Sequence, residues 1–176
     1  METITIKIAN QEDEFLKIHR LNYKTFVEEI PQHKTNKEEL LIDKFDAENI
    51  YFIALDDDEL LGMVCIRTSR PFSLDGKLDN LDQHLPSYNH LAEIRLLSVE
   101  PSRRYSKVLL LLLNKLWAFV NQQNVDLVII SGTTRQLKLY KKLGFIPFSK
   151  MVGTEGALYQ PMYLTKQRFE ERWKIK

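Results

Sequence analysis

Cysteine is nearly absent from the 176-residue sequence. Cys65 stands alone, which excludes an internal disulfide and fits a reducing cytoplasm. It lies in the strand-like run Leu61 to Arg67, so a buried structural thiol is expected rather than a nucleophile. Charge of one sign is lacking too. Lys plus Arg number 25 against 24 Asp plus Glu, a formal net charge of +1, whereas a dedicated nucleic-acid binder carries a strong basic excess. The longest purely aliphatic run, Val108 to Leu113, is far too short to span a bilayer. Residues 2 to 8 alternate polar and apolar like a strand, so no signal peptide is expected. The four histidines show no metal-ligand spacing, and no metal is expected. With no repeat, low-complexity stretch or linker, residues 1–176 read as a single domain.

What is present is organised around Leu91 to Phe145. A strand-like run, Leu91 to Val99, leads into a turn with Pro101 and the basic cluster Arg103, Arg104 and Lys107. A helical pattern follows from about Arg104 to Gln123, with Leu109, Leu112, Leu113, Leu116 and Val120 on one face and Leu110 and Trp117 widening it. Asp126 to Ile130 reads as a buried strand, Thr133 to Leu143 as a helix stopped at Gly144, and Phe145 opens another strand. This order is the grammar of a crossover unit over a largely parallel sheet. A helix N-terminus leaves backbone N–H groups unpaired and partly positive, so three cations beside it point to a phosphate or an acidic partner surface.

Val99-Glu-Pro101-Ser-Arg-Arg104-Tyr-Ser-Lys-Val-Leu109 resembles the acyl-CoA-binding signature V-x-P-x-x-R-G-x-G-x-G/A of the GNAT superfamily of N-acyltransferases. Leu139-Tyr140-Lys-Lys-Leu-Gly144-Phe145 is similar to the superfamily's second signature, L-Y-x-x-x-G-F. The small positions of the first signature are occupied by Tyr105, Lys107 and Leu109, and Thr134 stands where Asn is common. A glycine turn lets the backbone approach a pyrophosphate closely, and these side chains remove that approach. The resemblance implies an α/β fold with a mixed central sheet of six or seven strands and helices on both faces. Antiparallel N-terminal strands and parallel pairing at the Leu91 and Asp126 strands are expected. It also implies acetyl-CoA or a longer acyl-CoA as donor, held by Leu97, Ser98, Val99, Arg103, Arg104, Tyr105, Ser106, Lys107, Val108 and Leu109. Tyr140 matches the usual protonator of the departing thiolate.

The N-terminal half carries a weaker likeness. Asn22-Tyr-Lys-Thr-Phe26-Val-Glu28, Asp43-Lys-Phe-Asp46 and Gly62 to Pro71 resemble acyl-homoserine-lactone synthases and N-acyl amino acid synthases, which implies acceptor contacts at Phe26 and Arg67. Asn22 replaces an Arg of that pattern, and its Trp has no counterpart near His33. The spacing here predicts a helix from Asn10 to about Ile30, a short one around Glu38 to Asp43, and a hairpin of Tyr51–Leu55 with Leu60–Thr68. Pro71 to His90 has no period and reads as a long loop, either a cover for the acceptor pocket or a surface insertion. Phe145–Phe148 and Ala157–Leu164 read as final strands around a bend at Gly153 and Gly156, with a helical tail from Lys166 to Lys176.

Acylating an amine requires a proton acceptor, oxyanion donors and an acid for the thiolate. Glu93 and Arg95 lie on one face of the Leu91 strand with Leu97 and Val99. Either they pair as a bridge or they face the cleft, Glu93 then acting as base, directly or through water, and Arg95 binding an acceptor carboxylate. Three functions stay open: an acyl-CoA-dependent N-acyltransferase acting on a small-molecule amine, a synthase taking its acyl group from acyl-carrier protein, and a non-catalytic ligand-binding module.

Overall fold

In the computed structural model, which describes residues 3–173, the alternating N-terminal residues form β1 (Ile4–Ile8). Two compact units are present: Met1–Ile66 with Leu96–Phe119, and Arg67–Arg95 with Val120–Lys176. In the first, β1 runs antiparallel to β2 (Ile50–Asp56), which forms an antiparallel hairpin with β3 (Glu59–Arg67). β3 neighbours the last residues of β4 (Leu91–Val99).

Helix α1 (Glu12–Tyr23) begins where Glu14 reaches back to the amides of Asn10 (2.9 Å) and Gln11 (3.2 Å), pairing donors that a helix start leaves open. It continues as a π-helical segment, Lys24–Glu29, ahead of Pro31. Ile18 and Leu21 pack with Tyr51, Ile53, Met63 and Cys65, and the Cys65 thiol is fully buried. The short helix expected at Glu38 to Asp43 is absent. Glu39 takes φ 53°, a left-handed conformation no right-handed helix accommodates, and Asn36 bonds the Leu40 carbonyl instead.

Helix α2 (Val108–Gln122) starts four residues later than its apolar pattern suggests. Its buried stripe is accordingly Val108, Leu112, Leu116 and Val120, an i, i+4 row, while Leu110 is 57% exposed. Gly62 admits this helix closely: a Cβ there would lie 3.0 Å from the Ser98 carbonyl, 3.2 Å from Val108 and 3.3 Å from Leu112.

The second unit begins its sheet with the first five residues of β4. These run parallel to β5 (Leu127–Thr133), but only from Leu91 to Glu93. β5 pairs antiparallel over its whole length with β8 (Ala157–Thr165), which also takes β6 (Ile146–Pro147) and β7 (Val152–Thr154). The sheet is therefore mixed and mostly antiparallel, not largely parallel, with eight strands among the described residues. β6 and β7 are too short to show a period. Helix α3 (Leu137–Leu143) ends at Gly144, whose φ of 108° lets its amide turn back to the Tyr140 and Lys141 carbonyls. A 3-10 turn, Thr134–Gln136, takes up the helical start expected at Thr133. Helix α4 (Lys166–Trp173) forms the tail, the last three residues of the expected helix lying outside the described residues. None of the described helices is long and apolar enough to cross a membrane.

Asp126 fixes the start of this sheet. Its carboxylate accepts the amides of Asn89 (2.9 Å) and His90 (2.8 Å), just before β4 begins. Burial alone would push this carboxyl up; the Asn89 and His90 N–H groups outweigh it and hold it below the usual carboxylate range. A lowered folded-state pKa gives stability that is present above the unfolded value and lost as pH falls through the folded one. Asp126→Asn is expected to cost about 1–2 kcal/mol at neutral pH, discounted for partial exposure. In urea titrations the gap to wild type should narrow below about pH 4.

Candidate active site

Within the first unit, β4 does not alternate through to Val99. Leu96 has φ 52°, a left-handed conformation outside the extended range that strand alternation needs. In the second unit, Leu91, Ala92 and Glu93 of β4 pair with Leu127, Val128 and Ile129 of β5. Ser98 and Val99 are buried, Leu97 is partly so, and the Ser98 hydroxyl has no partner among the described residues.

A 3-10 turn, Pro101–Arg103, then leads through residues 104–107 into α2. The Ser106 hydroxyl accepts the Val108 amide at 3.3 Å, so one of the helix-start donors is taken within the turn. The three cations differ sharply. Arg104 grips both Glu29 oxygens at 2.6 Å and the Val99 carbonyl at 3.2 Å. Arg103 lies 3.9 Å from Asp56, whereas Lys107 and Tyr105 are exposed. Leu109 is partly buried on α2, and Phe26 is buried in the π-helical segment. A sequence cannot show that Arg104 is occupied, because Glu29 is 75 residues away.

In the second unit, Glu93 has no exposed surface. The Ser73 amide donates to Oε2 at 2.7 Å and the Ser73 hydroxyl to Oε1, while Arg95 Nε lies 3.5 Å from Oε2. Arg95 therefore stands beside the carboxylate that Ser73 holds. Both oxygens of the carboxylate are thus covered. Arg67 is buried and its Nε donates to the Pro71 carbonyl at 2.7 Å, so it holds the loop that follows.

That loop is not structureless. Ser73–Gly76 and Leu81–His84 are 3-10 turns, and Phe72, Leu74 and Leu81 pack on Leu91, Leu127 and Ile129. Arg70 ties it together through Asp75, Asp82 and Tyr88. Short 3-10 turns leave no repeating signal in a sequence, so neither these elements nor Ser73 is legible from periodicity.

Tyr140 lies on α3 with its ring against Gly132 of β5: a Cβ there would sit 2.9 Å from the ring. Phe145 meets it edge-on, 6.2 Å between centroids. Burial pushes the phenol up, and a bond with Thr133 pulls partly the other way. At neutral pH it therefore holds the proton that a general acid needs.

The chain belongs to the GNAT family: residues 21–114, just over half its length, match the acetyltransferase (GNAT) domain. It is a GNAT-type acyltransferase, as the two signatures implied. Among solved structures it resembles BjaI, a CoA-dependent acyl-homoserine lactone synthase, with SAM and isopentyl-CoA (TM-score 0.76, 18% identity, 98% of this chain and 89% of that one). It also resembles FeeM, an N-acyl amino acid synthase from uncultured soil microbes (TM-score 0.76, 14% identity, 97% and 94%). The acyl-homoserine lactone synthase LasI is similar as well (TM-score 0.74, 16% identity, 99% and 96%). At these identities the likeness is one of fold. No curated protein matches the sequence.

Proposed function

We propose that residues 1–176 act as one cytoplasmic acyltransferase domain that moves an acyl group from acyl-CoA to the primary amine of a small molecule by direct attack. The observation that carries this is the interruption of β4. Leu96 at φ 52° breaks the regular strand there, and the backbone N–H groups just beyond it are assigned to polarising a thioester carbonyl. Leu97, Ser98 and Val99 supply these backbone donors. The turn from Arg103 to Leu109 meets the donor's phosphate, with Lys107 as its accessible cation and Arg103 beside it. Arg104 shapes the turn through Glu29. Tyr140 protonates the thiolate, Glu93 receives the amine proton, and Arg95 faces an acceptor carboxylate. Phe26 and Arg67 contribute to acceptor binding through the segments they anchor.

One observation favours a second donor. The turn has no glycine, its Ser106 hydroxyl already takes the Val108 amide, and Tyr105 and Lys107 project into solvent. That suits the single phosphodiester and acidic surface of an acyl-carrier protein better than a pyrophosphate.

Thermal-shift titration with CoA, acetyl-CoA, a long-chain acyl-CoA and acyl-carrier protein separates these readings, since a true donor stabilises the native state. Lys107→Ala is expected to weaken the stabilising donor roughly fivefold, the modest scale of an exposed charge contact. Arg104→Ala should instead lower stability by about 1 kcal/mol, by releasing Glu29. Stabilisation by none of the four would sink the donor assignment and favour a non-catalytic ligand-binding module.

A further inference from the structure

Glu93 presents a difficulty for any reaction in which it takes a proton. It is 0% exposed, and Ser73 covers both of its oxygens. A base must lie within hydrogen-bond reach of the proton it removes, or reach it through one intermediate. Resting on the acyltransfer reading above, we propose that the intermediate is the Ser73 hydroxyl, which makes Ser73 a catalytic residue.

Three observations converge on it. The Ser73 hydroxyl donates to Glu93 Oε1, so its proton already points along the relay. A hydroxyl that donates one bond keeps two lone pairs, and neither is engaged by a described residue. Ser73 also retains 6% exposure where Glu93 retains none. The hydroxyl cannot easily turn away, because its own amide is bonded to Glu93 Oε2 at 2.7 Å. The backbone around it is held as well, by the Asp75 carboxylate on the Phe72 amide at 2.6 Å and by Arg67 on the Pro71 carbonyl at 2.7 Å. Phe72 and Leu74 are anchored in the core on either side. Such redundancy around a two-bond Ser–carboxylate contact is what a preorganised relay requires.

The step balances as follows. The amine nitrogen forms a bond to the thioester carbonyl carbon, and its N–H proton passes to Ser73 Oγ as the Ser73 proton passes to Glu93 Oε1. The C–S bond then breaks with its electron pair on sulfur, which takes a proton from Tyr140. Glu93 returns its proton to solvent back through Ser73 Oγ and Tyr140 regains one, so the net change is one amide and one free thiol.

The test is thiol release from acetyl-CoA and hexanoyl-CoA with the proteinogenic amino acids as acceptor probes, for wild type, Ser73→Ala and Ser73→Thr, with rates referred to folded protein. The expectation for Ser73→Ala is a kcat roughly tenfold to a hundredfold lower with donor affinity unchanged, the scale of losing one proton-transfer group. Ser73→Thr, which keeps a hydroxyl, should recover to within a few-fold of wild type. A proton inventory in mixed H2O and D2O should be bowed for wild type and Ser73→Thr, because two protons move together, and closer to linear for Ser73→Ala. Wild-type turnover in Ser73→Ala, or a loss of melting temperature alone, would overturn the relay while leaving the acyltransfer reading intact. A wild-type protein that releases no thiol with any pair would overturn both.

Discussion

Tyr140→Phe is expected to lower kcat by about 10²–10³-fold, the scale of removing one general acid or transition-state donor. The substitution deletes one oxygen and leaves the ring, so the packing on Gly132 and the edge contact with Phe145 survive. Donor affinity should stay near that of wild type, because the thiolate develops only as the C–S bond breaks. The lost bond to Thr133 makes a small fall in melting temperature the natural companion of the rate effect. Steady-state thiol release read beside a thermal melt distinguishes the roles. If the Tyr140 hydroxyl serves only its bond with Thr133, the melting temperature moves and the rate per folded molecule does not. A variant that turns over at the wild-type rate would remove Tyr140 from the reaction.

Gly132→Ala should disable the same phenol while leaving Tyr140 itself unsubstituted. The added Cβ would stand 2.9 Å from Tyr140 Cδ2, 3.1 Å from Cε2 and 3.4 Å from the Gln160 carbonyl. Neither a ring pinned by Phe145 nor the backbone of β8 yields as a flexible side chain would. Overpacking of this kind typically costs about 1–3 kcal/mol. Displacing a catalytic group by about 1 Å can cost up to about 10²-fold in rate, so a kcat fall of roughly 10–10²-fold is expected on top of a lower urea midpoint. Gly76→Ala serves as the control, because a Cβ there meets nothing within 4 Å. A Gly132→Ala variant with wild-type kcat would show that Tyr140 either moves freely or is not the acid. If the rate falls without loss of stability, the ring has been re-aimed rather than the core disturbed.

The class of protein was determined by the sequence alone. Val99, Pro101 and Arg104, followed at the right distance by Leu139, Tyr140, Gly144 and Phe145, are local patterns that need no partner to be read. The β2–β3 hairpin and the stop of α3 at Gly144 were legible for the same reason, since alternation and a left-handed cap act over a few residues. Only the tertiary structure decided how the candidate groups are occupied. Arg104 meets Glu29 across 75 residues, and Ser73 meets Glu93 across 20. The left-handed backbone at Leu96 likewise interrupts an alternation that the sequence pattern alone would have carried through. Such contacts depend on which strands lie side by side and where a 3-10 loop is anchored. Neither follows from periodicity, because they are set by the packing of Phe72, Leu74 and Leu81 on Leu91, Leu127 and Ile129, residues distant in sequence that become neighbours only when the sheet forms.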